Sequence, residues 1–302
     1  MKIIVVGLGR MGMQIVRKCG EDGHQVIAYD RNRESVDEAA GYKAIAAHEK
    51  HNAVEQFENE QVVLWLMIPS DVVEAELADW LKIVPEGSII IDGGNSDFRL
   101  TAKRAKTVKA AGSALIDVGT SGGVWGYERG FCMMAGGKAE AFNVVEPLLK
   151  TLAEPNGAYH HFGESGSGHY VKMVHNAIEY GMMQSLAEGY RILQEGPYKG
   201  LDLGAAGETW QHGSVIVSWL NELCAKALQE NPELKDIDGY VTENGEARWT
   251  LEVAKEMGIP MPSIQASFDV RLASQKGDIN FATKLLAAMR AKFGGHNING
   301  DK

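Results

Sequence analysis

Two hydrophobic periods divide the chain. In the first half, short β-branched runs (Lys2–Val6, Gln25–Tyr29, Gln61–Met67, Ser88–Ile91 and Ala114–Val118) alternate with amphipathic stretches such as Met11–Gly20, Asp71–Ile83 and Arg99–Ala110. This βαβ rhythm predicts a doubly wound parallel sheet. Uninterrupted apolar strands such as Ile89–Ile91 suit a sheet covered on both faces. The glycine-serine segment Gly163-Glu-Ser-Gly-Ser-Gly168 breaks the rhythm. Beyond it strand signals stop and helical patterns follow over His169–Gln194, Asp202–Gln211, Ser214–Gln229, Glu243–Met257, Met261–Ser274 and Phe281–Lys292, with Asp202 and Ser214 as expected N-caps. The expected domains are an α/β unit over 1–163 and an all-helical unit over 164–302.

At 302 residues, with 45% hydrophobic and 23% charged positions, the chain suits a two-domain globular protein with a sizeable core. Thirty basic against 40 acidic residues give a formal charge of −10, which argues against a general nucleic-acid binder but leaves room for a local basic pocket. Cys19, Cys132 and Cys224 fit neither a disulfide framework nor a metal knuckle and read as buried free thiols in a reducing compartment. Val62–Ile68 is too short to span a bilayer, and Met1–Val6 runs straight into Gly-Leu-Gly without a cleavage site. These features predict a soluble cytoplasmic protein with no membrane segment.

Gly7-Leu8-Gly9-Arg10-Met11-Gly12 matches G-x-G-x-x-G between a strand and a helix, the context a dinucleotide-binding turn requires. Gly7 permits the tight turn, Gly9 lets a pyrophosphate approach the backbone, and Gly12 permits close helix–strand packing. The helix that follows offers N–H groups and a positive dipole end. The first domain is therefore expected to be Rossmann-type, followed by an all-α C-terminal domain. Asp30 ends the second strand, 18 residues after Gly12. An acid there hydrogen-bonds ribose hydroxyls and repels a 2′-phosphate, favouring NAD, whereas neighbouring Arg31 could clamp that phosphate and permit NADP.

Chemistry concentrates in Lys172-Met-Val-His175-Asn176-Ala-Ile-Glu179-Tyr180-Gly181. At about 100° per residue, His175, Asn176 and Glu179 fall within about 60° of Lys172, and the apolar residues take the opposite arc. Burying such a stripe without a purpose is costly. Lys172 and Glu179 are seven residues apart, too far for an ordinary surface pair. Desolvation or a nearby histidine lowers a lysine pKa, so that it can take a proton from an alcohol as hydride leaves. Glu179 adds a second proton-transfer group, one more than simple alcohol oxidation needs. Asp92-Gly-Gly-Asn95-Ser96 and Thr120-Ser121-Gly122-Gly123 each follow a strand, at the edge where doubly wound folds bind ligands.

Together these segments resemble the 6-phosphogluconate dehydrogenases, the decarboxylating family of β-hydroxyacid dehydrogenases. The resemblance runs through Gly7–Gly12, Asp92–Ser96, Ser121–Gly123, Gly168–Gly181, His212–Ile216 with Ser218-Trp219, Arg248–Thr250 and Phe293–His296. It implies NAD (or NADP) held by Gly7, Leu8, Gly9, Arg10, Met11, Gly12, Asp30, Arg31 and Asn95. It implies Lys172 and Glu179 as the catalytic groups. Asn95, Ser121, Gly122, Gly123, His175 and Asn176 would hold the carboxylate and hydroxyls of 6-phosphogluconate, and Tyr180 and Arg271 its phosphate. Arg290 and His296 match residues that reach in from a neighbouring subunit in the family's longer form. The chain has room for one helical repeat, like the short bacterial form, so a homodimer or homotetramer is expected. The longer form's Lys-x-Thr phosphate contact falls on Asn244 and Glu246 and is absent, with Arg248 a possible substitute.

Two other readings compete. A non-decarboxylating β-hydroxyacid reductase would keep Lys172 and have no use for Glu179. A nucleotide-binding regulatory protein would need neither. A metal site at His160 and His161 has little support, because adjacent residues rarely share one metal and no acidic ligand spacing accompanies them.

Overall fold

The computed structural model describes residues 1–58 and 60–295. The first half contains β1 (Lys2–Val6), α1 (Arg10–Glu21), β2 (Gln25–Tyr29), α2 (Arg33–Ala40), β3 (Ile45–Ala46), α3 (Lys50–Glu55), β4 (Val63–Leu66), α4 (Val73–Trp80), β5 (Ile89–Asp92), α5 (Phe98–Ala110), β6 (Ala114–Ser121), α6 (Gly126–Arg129), β7 (Cys132–Gly137), α7 (Ala139–Ala153) and β8 (Ala158–His161). Then come α8 (Ser167–Glu195), α9 (Leu203–Trp210), α10 (Trp219–Glu230), α11 (Glu246–Met257), α12 (Pro262–Ser274) and α13 (Phe281–Gly294). Packing separates residues 1–173 from 174–302, and the division falls inside α8.

The eight strands form one sheet in the order β3-β2-β1-β4-β5-β6-β7-β8. Among the described residues β6 and β7 pair antiparallel and the other neighbours pair parallel. Successive residues of β1 feed opposite cores: Ile3 and Val5 pack with Ile15, Trp65 and Ile91, while Ile4 and Val6 pack with Leu64, Leu66 and Trp80. This two-faced burial explains why the strands read as unbroken apolar runs. Strand order reverses between β1 and β4, the switch point beside which such folds bind ligands at the carboxyl ends of the strands.

In residues 174–302, Met183, Ala187 and Tyr190 of α8 pack with Leu223 and Cys224 of α10 and with Leu285 and Met289 of α13. Asp202 caps α9 as expected, its side chain accepting from the Ala205 N–H. Ser214 does not cap the next helix. That helix starts at Trp219, and Ser218 caps it by accepting from the Asn221 N–H. The β-branched run Val215-Ile216-Val217 disfavours helix and lies exposed outside it.

Candidate active site

Gly7 adopts φ +90°, and a Cβ there would lie 2.5 Å from the Met67 carbonyl oxygen. A Cβ on Gly12 would strike the Gly7 carbonyl, so α1 meets the turn only because both positions are glycine. At Gly9 nothing lies within 4 Å of a built Cβ, and no side chain caps α1. Open backbone at an uncapped helix N-terminus fits a dinucleotide pyrophosphate. Asp30 accepts from the Leu8 N–H at 2.6 Å and the Asn32 N–H at 2.8 Å, tying the end of β2 to the glycine turn. Arg31 turns away to the buried Glu76 carboxylate at 2.6 Å, and Lys50 reaches the same carboxylate at 2.9 Å. These two cations hold the Glu76 carboxyl below the usual range, against the opposing effect of burial. Arg10 is exposed, and Met11 is half-buried against the sheet core.

The loop after β5 is fixed by a residue the spacing did not single out. Arg104, buried on α5, donates to Asp92 at 2.9 Å, Ser96 at 2.8 Å and the Ser70 carbonyl at 2.8 Å. Between those anchors, Asn95 stands exposed. A signal was present: Arg104 lies between Thr101 and Val108 on the buried stripe of its helix. Ser121 ends β6, followed by Gly122 at φ +132° and Gly123 at φ +53° in a 3-10 turn.

A second unanticipated residue sets the start of α8. Asp117, fully buried in β6, accepts from the Gly166 N–H at 2.7 Å and the His169 N–H at 2.9 Å, the position of a helix-capping carboxylate. Thr101 holds the His169 ring at 2.7 Å. The first turn of α8 thus rests on β6, where a Cβ on Gly119 would collide with the Lys172 side chain. Lys172 is only 6% exposed. Burial raises the Cys132 thiol pKa, and the nearby Lys172 charge opposes that rise.

Further along α8, His175, Asn176 and Glu179 are half-buried and Tyr180 is buried. Ile178 is half-exposed, so the apolar arc opposite the polar stripe is not covered along its whole length. His175 Nδ1 meets Asn176 Oδ1 at 2.9 Å, and Asn176 Nδ2 donates to Glu246 at 2.8 Å. The Arg271 guanidinium lies 3.3 Å from the Tyr180 ring centroid, a cation–π stack. It also donates to the Thr242 carbonyl at 3.3 Å. Arg290 donates to the Thr242 hydroxyl at 2.7 Å. Burial lowers Arg271 to about 10, so it stays protonated at neutral pH. Two desolvated guanidinium groups beside Tyr180 form a cationic centre suited to an anion. Arg248 is paired with Glu243 at 3.3 Å. His296 lies outside the described residues. Among the described residues, no group of three or more His, Cys, Asp or Glu side chains could hold a metal ion, and no helix is long and apolar enough to cross a membrane.

Comparison with known proteins agrees with this geometry. Residues 2–163 match the NAD binding domain of 6-phosphogluconate dehydrogenase, and residues 168–297 match its C-terminal domain. An NAD(+)-dependent, decarboxylating 6-phosphogluconate dehydrogenase of Haloferax volcanii is 39% identical over 300 residues, covering 99% of this chain and 98% of the relative. The Plasmodium falciparum 6-phosphogluconate dehydrogenase, solved with NADP+ and with 6-phosphogluconate, superposes with TM-score 0.82 at 28% identity, over 100% of this chain and 66% of that one. A 3-hydroxyisobutyrate dehydrogenase of Mycobacterium tuberculosis shares the fold at TM-score 0.74 and 20% identity, over 94% of this chain and 97% of that one. With an N-terminal sheet built around a dinucleotide turn and a helical half that both match, the chain belongs to the 6-phosphogluconate dehydrogenase family.

Proposed function

We propose that this chain oxidises C3 of 6-phosphogluconate with NAD(P) and releases CO2 to give ribulose 5-phosphate. The observation that carries this reading is α8, one continuous helix presenting a buried lysine at 172 and, about two turns on, a glutamate at 179. Bound NAD(P) supplies the acceptor for the C3 hydride. Lys172 takes the proton of the C3 hydroxyl. As the lysinium it then donates a hydrogen bond to the new carbonyl oxygen, drawing charge there while the C1 carboxylate leaves as CO2. Glu179 returns a proton to the carbon that lost CO2. Asn95, Ser121, Gly122, Gly123, His175 and Asn176 orient the carboxylate and hydroxyls. Arg271 and Tyr180 take the phosphate, with Arg290 beside them. Mixing the protein with 6-phosphogluconate and NAD tests the reading, with reduced nicotinamide and ribulose 5-phosphate as the products followed.

On this reading residues 1–163 bind the nucleotide, and 164–302 bind substrate and join subunits in a homodimer or homotetramer. Ile178, Met182 and Ile192 lie exposed on α8 at helical spacing, and apolar surface of this kind favours a partner chain. The buried thiols Cys19 and Cys224 accord with a cytoplasmic enzyme, whereas Cys132, expected to be buried, is exposed at the start of β7.

NAD is the preferred cofactor in this proposal. Asp30 places a carboxylate at the end of β2, and Glu76 engages the arginine that would otherwise receive a 2′-phosphate. Asp30→Ser is expected to shift the ratio of kcat/KM toward NADP by about tenfold or more, some 1.4 kcal/mol. Glu76→Gln should move the same ratio in the same direction by weakening the hold on Arg31. A wild-type enzyme that strongly prefers NADP would contradict the assignment of both residues.

Arg271→Met keeps apolar contact with Tyr180 and removes the charge. The expected result is a KM for 6-phosphogluconate raised about tenfold or more with kcat little changed, the pattern of lost uniform binding. An unchanged KM in a folded variant would make Arg271 structural.

A further inference from the structure

We propose that Glu246 is a positioning residue that sets the tautomer of His175 through Asn176. Glu246 is the first residue of α11 and is 2% exposed. Positive charge from Arg271 and Arg290 acts on it, and the N-terminal end of α11 adds to that field. The two guanidinium charges and the helix end favour the carboxylate form, which can only accept hydrogen bonds, against the opposing effect of burial.

The consequence runs along two bonds. Glu246 Oε1 accepts at 2.8 Å, so the Asn176 atom facing it must be the NH2 group. The amide orientation is thereby decided, and the Asn176 oxygen faces His175 Nδ1 at 2.9 Å. An amide oxygen needs a donor, so Nδ1 carries the proton. A neutral His175 then offers Nε2 as an acceptor, suited to a substrate hydroxyl. Without the carboxylate, Asn176 could turn over and present its NH2 to Nδ1, and the ring would change from acceptor to donor at Nε2. Glu246 touches neither the reacting carbon nor the cofactor in this scheme. It acts by deciding which nitrogen of His175 holds the proton.

This inference rests on His175 and Asn176 binding substrate as proposed above, but its test has a readout independent of turnover. The full-length enzyme, labelled with 15N-histidine, is compared with Glu246→Gln and Asn176→Ala above the ordinary histidine titration range. His175→Asn assigns the resonances. In wild type, His175 is expected to show a pyrrole-like Nδ1 and a pyridine-like Nε2. Glutamine in place of Glu246 can face Asn176 either way round, so both nitrogens should move toward intermediate values. With 6-phosphogluconate, each single variant should lose about 10- to 100-fold in kcat/KM, as for a hydrogen bond to a charged group, with KM for NAD unchanged. The double variant should be no worse than the weaker single, because both break one chain of bonds. Wild type with the proton on Nε2, or a Glu246→Gln spectrum identical to wild type, overturns the inference and leaves the proposed reaction intact. A wild-type enzyme with the predicted tautomer but no turnover of 6-phosphogluconate overturns the reaction instead.

Discussion

Replacing Lys172 with methionine is expected to abolish oxidation. Hydride cannot leave C3 unless the hydroxyl proton leaves with it, and removing a positioned base costs roughly 10²–10⁴-fold in rate. Here the loss should lie at the upper end, because Lys172 is 6% exposed and water cannot readily take its place. Methionine retains the stem packed over Gly119, where no side chain could fit beneath it. The variant should therefore fold, bind NAD normally and show no reduced nicotinamide above a background about 10³-fold or more below wild type. Retention of even a tenth of wild-type kcat would remove Lys172 from the chemistry.

Glu179→Gln is expected to act later in the reaction. Loss of CO2 leaves an enediol that must gain a proton on carbon, and in the proposed reaction Lys172 is engaged at the C3 oxygen. Seven residues at a rise of 1.5 Å place Glu179 about 10 Å along α8, far enough to serve a different carbon of an extended sugar acid. Overall turnover should fall roughly 10²–10⁴-fold, with dissociation constants for 6-phosphogluconate and NAD within a few-fold of wild type. Wild-type output of ribulose 5-phosphate from this variant would reduce Glu179 to a carboxylate that shapes the Arg271 and Arg290 centre, on which its charge also acts.

Lys172 and Glu179 could be proposed together from the sequence because a single helix keeps linear spacing in space. The same holds for the glycine turn, where strand, turn and helix adjoin. β1 and β2 also read with the bounds they adopt, since both of their faces are buried and every position after the first, Lys2 or Gln25, is apolar or aromatic. β7 and β8 did not. Their sequences, Cys-Met-Met-Ala-Gly-Gly and Ala-Tyr-His-His, lack β-branched runs, and they form by pairing with β6 and with each other. Tertiary pairing there overrides weak local preference.

The supporting polar residues were harder to see for the same reason. Asp117 caps a helix that begins 50 residues later, and Glu246 meets Asn176 across 70 residues. No periodicity links such pairs. What the sequence did offer was placement: an aspartate inside the apolar strand Ala-Leu-Ile-Asp-Val, and an arginine on the buried face of α5. Fully buried charges are rare unless paired, so each such position marks a partner elsewhere in the fold. Arg271 and Arg290 came only from the family resemblance. Their common tie to Thr242 joins α12 and α13 to the loop before α11, a relation that no linear spacing announces.

In the proposed reaction one helix serves both oxidation and decarboxylation. The most direct measurement uses 6-phosphogluconate labelled at its carboxylate carbon, with NAD, and counts labelled CO2 against reduced nicotinamide in the same reaction. Equal amounts of the two, with ribulose 5-phosphate as the organic product, are the predicted result. Reduced nicotinamide formed without labelled CO2 would contradict it and identify a β-hydroxyacid dehydrogenase that stops at the 3-keto acid.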